Sequence, residues 1–190
     1  MGYFLQFANL VIQIIFGILI FFVLARFILQ LVRADFNNPI SQMFIKVTNP
    51  MLKPFRSFIP GFLGLDFAAI VLLLILQSLE LVLTHAIGGY GLHGPVMFIV
   101  EAFGLLIQHA AQLFMIVIMS WVNPRASQHP LAQIAMQITN PLLQPLRRLI
   151  PAQAGIDFTP ILALIIIFAV MFLIAAPLID LPHSPTFKSI

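Results

Sequence analysis

"TNPMLKPFRSFIP" occupies Thr48–Pro60, and "TNPLLQPLRRLIP" occupies Thr139–Pro151. The offset is 139 − 48 = 91 residues. Carried outward without gaps, it pairs Pro39 with Pro130, Gln42 with Gln133, Gly64 with Gly155, and Asp66-Phe67 with Asp157-Phe158. In all, 13 of the 29 positions from Pro39 to Phe67 are identical. Chance pairing does not produce that density, so the chain is a tandem duplication. The first copy is placed at residues 1–90 and the second at 91–190.

The surroundings of the two motifs are oily. Of the 190 residues, 61% are hydrophobic and 8% charged, against roughly 25% charged in a soluble domain. Such a chain cannot clothe itself in a water-compatible surface. Four apolar runs, at about Phe7–Val32, Phe67–Ile87, Val96–Val122 and Phe158–Ile179, approach or exceed the roughly 20 residues that a spanning helix needs. The expected fold class is therefore an all-α membrane protein with four transmembrane helices, each copy contributing a helix, a polar connector (33–66 and 123–157) and a second helix. The first run lacks a basic leader and a cleavage site, so it reads as a retained anchor. An even number of crossings per copy makes the two repeats parallel rather than inverted.

Eight of the nine basic residues (Arg26, Arg33, Lys46, Lys53, Arg56, Arg125, Arg147 and Arg148) lie in or beside the connectors. The positive-inside rule then places both connectors in the cytoplasm and both termini outside, in the bacterial inner membrane. Asn38-Pro39 reads as an N-cap followed by proline at the first helical position. The spacing predicts a short helix to about Val47, a stop at Asn49-Pro50, where the residue before proline avoids the helical region, and a fresh start beyond it. Asn140-Pro141 repeats that signal. Met51, Leu52, Phe55, Phe58 and Ile59 fall on one face, with Lys53 and Arg56 opposite; Pro54 and Pro145 kink or restart the helix. The motif is thus an interfacial amphipathic segment with its arginines at phosphate level, suited to anionic lipid. Pro60 and Pro151 end it, Gly64 and Gly155 turn the chain, and Asp66 and Asp157 stand ready to cap the next helix or to pair with Arg56 and Arg147. The same pairs also suit a ligand or ion site.

These residues (Asn49-Pro50, Leu52, Pro54, Arg56, Ile59-Pro60, Gly64 and Asp66-Phe67, with their counterparts in copy two) make the chain resemble the YggT family of bacterial integral membrane proteins, which has plastid relatives. Two units of it cover about residues 5–85 and 95–180, and Ser120-Trp121 fits the second. The resemblance implies a membrane protein without established catalysis, associated with osmotic or extracytoplasmic stress, cell division and nucleoid organisation, and in plastids with cytochrome maturation. It carries no catalytic residue to this chain. One departure is Ala69 in copy one against Pro160 in copy two, so the second and fourth helices are expected to start differently.

Polar residues within the spans are the remaining candidates. Glu80 and Glu101 flank the turn near Gly91 at similar distances, so an antiparallel hairpin places them at similar depth. There they share a proton or bind a cation, or merely pack helices near the interface. Their repeat positions are Met171 and Leu10, so the pair belongs to the middle hairpin alone. His85, His93, His109 and His129 show no ligand spacing on one helix face; no metal or cofactor is expected, and His109 is expected to hydrogen-bond between helices. With no cysteine, thiolate chemistry is excluded. Gly88–Gly91 carries the letters "GGYG" but lacks the pore helix of a potassium filter. The reading that results is a non-catalytic scaffold or assembly factor that binds lipid and a cytoplasmic or membrane protein partner. The alternative is an ion-conducting or ion-coupled protein with Glu80 and Glu101 in the pathway; an enzyme has no supporting constellation. No nucleic acid is expected, and Gly17 and Gly104 offer close contacts for a homo-oligomer.

Overall fold

The computed structural model describes residues 2–61, 64–89, 94–120, 129–149 and 157–184. The expectations at Pro151, Gly155, Trp121, His93 and the Tyr90-Gly91 turn lie outside them. Most of the described residues are helical: α1 (Tyr3–Leu31), α2 (Pro39–Arg56), α3 (Phe67–Gly88), α4 (Pro95–Ser120), α5 (Pro130–Leu149), α6 (Thr159–Val170), a π turn (Met171–Ala175), α7 (Ala176–Asp180) and a final 3₁₀ turn (Leu181–His183). The helices α1, α3, α4 and the run Thr159–His183 are long and apolar enough to cross a membrane. Only 17% of the most apolar part of α1, and of the last run, is buried by the protein itself. Ile14, Ile15, Ile18, Ile161, Ile165, Phe172 and Leu173 point outward, which water would punish and acyl chains accept.

Each spanning helix has identifiable ends. At the end of α1 the Ala34 N–H donates to Leu29 O and the Arg33 N–H to Gln30 O. This closure needs a left-handed residue at Arg33 (φ 53°), a conformation glycine usually supplies. Gly89, at φ 67°, closes α3 with its N–H on His85 O. In the last helix Pro177 would clash with the carbonyl four residues back. The π turn just before it, where the Ala176 N–H reaches Met171 O, widens the backbone at that point.

The connectors depart from the expected helix, stop and restart. One helix runs through Asn49-Pro50 from Pro39 to Arg56, and another through Asn140-Pro141 from Pro130 to Leu149. Each internal proline removes one backbone bond, and the tertiary setting offsets that loss. The apolar stripe is also divided. Phe44 and Leu52, with Ser41 and Thr48, bury against the bundle, whereas Met43, Val47 and Phe58 stay exposed. Leu52 and its counterpart Leu143 are both fully buried, contributing about 1.5–3 kcal/mol each where the alternative is water.

α1 packs on α3, α3 on α4, and α4 on the last helix, while α2 and α5 lie against each other. Two bonds join the copies here: Asn38 Nδ2 donates to Pro130 O at 3.1 Å, and the Asp35 N–H donates to Gln137 Oε1 at 2.7 Å. Both connector helices therefore occupy one end of the bundle, as parallel repeats require. Gly104 is used inside the chain: a Cβ there would meet Leu178 Cβ at 2.9 Å, Ile179 Cγ1 at 3.0 Å and Ala175 O at 3.1 Å. Gly17 faces open space. Gly104→Val is expected to destabilise the protein by about 1–3 kcal/mol through overpacking, read by unfolding in detergent, whereas Gly17→Val leaves the midpoint unchanged.

Candidate functional site

The end of the bundle that carries α2 and α5 is organised around three arginines. In copy one, Arg56 in the last turn of α2 pairs with Asp66. Asp66 is 5% exposed and caps α3, its Oδ1 accepting from the Ala69 N–H at 3.3 Å. In copy two, Arg147 Nε donates to Asp157 Oδ2 at 3.0 Å. Pro160 replaces Ala69 and has no N–H, so Asp157 Oδ1 accepts instead from the Thr159 N–H at 2.9 Å. The expected difference in helix starts is present: α6 begins at Thr159, one residue later than its counterpart α3. The Thr159 side chain beside Asp157, together with the Thr159 N–H and Arg147, holds this carboxyl below the usual carboxylate range against the opposing pull of burial. Both motif pairs are thus built as staples between an interfacial helix and the spanning helix that follows.

The third arginine was counted in the sequence only as part of the basic flank. Arg26 lies in α1, 6% exposed. Its Nη1 donates to Thr48 Oγ1 at 2.7 Å, to Asn49 Oδ1 at 2.8 Å and to Ile45 O at 3.3 Å. Thr48 Oγ1 in turn donates to Phe44 O at 2.6 Å. This knot spans the turn of α2 where Pro50 leaves the Lys46 carbonyl without its helical donor, and it ties that turn to α1. In copy two Thr139 makes the same back-bond, to Ala135 O at 2.8 Å, but the position of Arg26 is taken by Val117, which has no side-chain donor. Arg26, Arg56 and Asp66, with Gln30, Ile45 and Ile59, also line a cavity of about 530 Å³. Two guanidiniums against one carboxylate give it a positive balance suited to a phosphate or a lipid headgroup.

Glu80 and Glu101 fall in two different polar clusters. Glu80 Oε2 accepts from Gln77 Nε2 at 2.9 Å and lines a cavity of about 320 Å³ with Gln13, Thr84, Gln108, His109 and Gln112. Glu101 does not line that cavity. It is 4% exposed and stands beside His85 and His183 at the opposite end from the connectors. His109 bonds within its own helix, Nδ1 to Leu105 O at 2.7 Å, rather than between helices as expected. An i−4 carbonyl is always within reach of a helical side chain of that length, whereas a partner helix must supply an acceptor at the right height.

Arg26→Met is expected to lower stability by about 1–3 kcal/mol, because buried Thr48 and the α2 backbone lose a charged donor. Limited trypsin digestion at Lys46 and Lys53 checks it: cleavage quickens in Arg26→Met and keeps its wild-type rate in Val117→Met.

The family model described as CCB3/YggT matches the chain twice, at residues 5–87 and 96–178. An uncharacterised protein of Pseudomonas aeruginosa is 38% identical over 95% of this chain and 94% of its own length. The uncharacterised protein YggT of Escherichia coli K12 is 33% identical over 77% of this chain and 78% of its own length. A protein of Haemophilus influenzae is 32% identical over 76% and 77%. No solved structure matches. With both matched segments built on the same Arg–Asp staple, the chain belongs to the CCB3/YggT family and carries two copies of its unit in tandem.

Proposed function

We infer that the protein is a non-catalytic scaffold or assembly factor of the bacterial inner membrane, with α2 and α5 cytoplasmic and both termini outside. The observation that supports this most is the paired platform: two amphipathic basic helices held side by side by Asn38–Pro130 and Asp35–Gln137, each stapled to a spanning helix. Lys46, Lys53 and Arg148 project from it, exposed, and make none of the ion pairs among the described residues. A platform held at this many points presents charge to a lipid surface or partner without first having to order itself, which lowers the entropic loss on binding. The stress, division or complex-maturation roles that the family resemblance implies would run through partners recruited there. The test is the triple variant Lys46→Glu, Lys53→Glu, Arg148→Glu, whose positions stay clear of the staples. At about 1 kcal/mol per basic residue near an anionic surface, it is expected to lose the bound anionic lipid and the proteins crosslinked to the wild type in native membranes. Normal insertion with every partner and lipid retained overturns the reading.

A second reading, ion coupling, is favoured by the cavity around Glu80. Gln77 is 1% exposed, and its Oε1 has no hydrogen-bond partner among the described residues. A volume of about 320 Å³ exceeds the roughly 30 Å³ that one water occupies. Polar groups at this depth are costly and commonly mark a pathway. On this reading liposomes carrying the protein pass potassium or protons, and Glu80→Gln changes the flux; folded protein in silent liposomes removes it.

A further inference from the structure

We propose that His85, Glu101 and His183 form a binding site for a divalent first-row transition-metal ion, with zinc as the type ion, at the end of the bundle opposite α2 and α5. One ligand atom from each of the three residues lies within 4.8 Å of the other two. The residues come from three separate elements: the last turn of α3, the second turn of α4 and the final 3₁₀ turn. None is near another in sequence, and no helix-face spacing announces them.

The preparation of the two rings favours a metal. His85 Nδ1 is 2.9 Å from Leu81 O, and His183 Nδ1 is 3.1 Å from Ile179 O. A carbonyl only accepts, so Nδ1 is the donor in each contact, and Nε2 is the ligand atom of the neutral ring. Metal-ligating histidines are oriented in this way, by a backbone acceptor on the other nitrogen. Phe98 stands edge-on to His85, with centroids 5.6 Å apart, and limits that ring's rotation.

Glu101 supplies the independent observation. It is 96% buried, and its Oε2 is enclosed with no hydrogen-bond partner among the described residues. A buried carboxylate oxygen needs a cation or a donor, and this one is set beside two imidazoles. Tetrahedral bonds of 2.0–2.1 Å hold ligand atoms about 3.3 Å apart, so atoms already within 4.8 Å of one another have at most about 1.5 Å to close. Two imidazoles and one carboxylate suit zinc and its neighbours rather than magnesium or calcium, which prefer oxygen ligands. Three protein ligands leave a fourth position for water, and exposed His183 opens the site to solvent.

The packing brings these parts together. Gly104, one turn beyond Glu101, lets the last helix approach α4 at Leu178 and Ile179, and the Ile179 carbonyl is the one that orients His183. A bound ion would clasp the end of the last helix to the α3–α4 hairpin.

The full chain, purified in detergent and stripped with chelator, is titrated with Zn²⁺ alone. The expected result is one ion per chain and a raised Tm. His183→Ala and Glu101→Gln each weaken binding by at least about ten-fold, the lower bound found for groups that merely support a ligand. His109→Ala binds as the wild type does. His183 is exposed, so its variant is expected to fold even if the variant of buried Glu101 does not. Absence of stoichiometric Zn²⁺ in the wild type overturns the proposal, as does binding left intact by His183→Ala. Cobalt loading adds a ligand signature: visible d–d bands of a tetrahedral site in the wild type, lost in His183→Ala. A six-coordinate aquo spectrum in the wild type counts against it.

Discussion

The ion pair that joins the last turn of each interfacial helix to the start of the next spanning helix sets the geometry on which the rest depends. Arg56 with Asp66 and Arg147 with Asp157 each join residues ten positions apart. A helix lying at a membrane surface has no intrinsic reason to hold one angle to a helix crossing it. Charge pairing at the elbow supplies that reason, and the aspartate also satisfies a backbone N–H at the start of the crossing helix. Where the carboxylate is nearly enclosed, as Asp66 is, removing one partner strands a buried charge, which is far worse than losing an exposed pair. The staple therefore specifies an arrangement more than it adds net stability.

Duplication gives the molecule a symmetric frame, and divergence has loaded that frame unevenly. Thr48 and Thr139 are both fully buried, as are Leu52 and Leu143. Arg26 faces Val117 across the repeat, Glu80 faces Met171 and Glu101 faces Leu10. The buried arginine knot, the polar cavity around Glu80 and the His85–Glu101–His183 cluster each belong to one place only. Asymmetric polar groups in an apolar medium are expensive to keep; the arginine knot lies within copy one, between α1 and α2, and the other two draw on both α3 and α4. The shared motif builds the scaffold, and the residues that differ between copies give this chain its chemical character.

Much of this was legible from residue order. Run length and composition announced four helices long and apolar enough to span, because the bilayer sets a length that local hydropathy must meet. The duplicated spacing offered the Arg–Asp pairs as one use of Asp66 and Asp157 beside helix capping, because each arginine precedes its aspartate by ten positions. Asn38 was readable as a cap, and its Oδ1 does accept from the Ile40 N–H at 2.9 Å. The continuity of α2 through Asn49-Pro50 was not readable. Local propensity before a proline points to a break, yet both connector helices run through it, and in copy one Arg26, from another helix, holds that turn. The grouping of Glu80 with Glu101 also rested on depth alone, and depth says nothing about which way a side chain turns around its helix.

The order of residues by itself determined the membrane class, the tandem repeat and the four apolar helices, since these follow from hydropathy or from identity at a fixed offset. Tertiary structure alone decided which buried polar groups meet. Helix rotation and the close approach at Gly104 bring His183 to Glu101 and His85, and carry Arg26 to Thr48. Those contacts join residues from 16 to 98 positions apart, and the packing of whole helices, with no local pattern to announce it, sets their register.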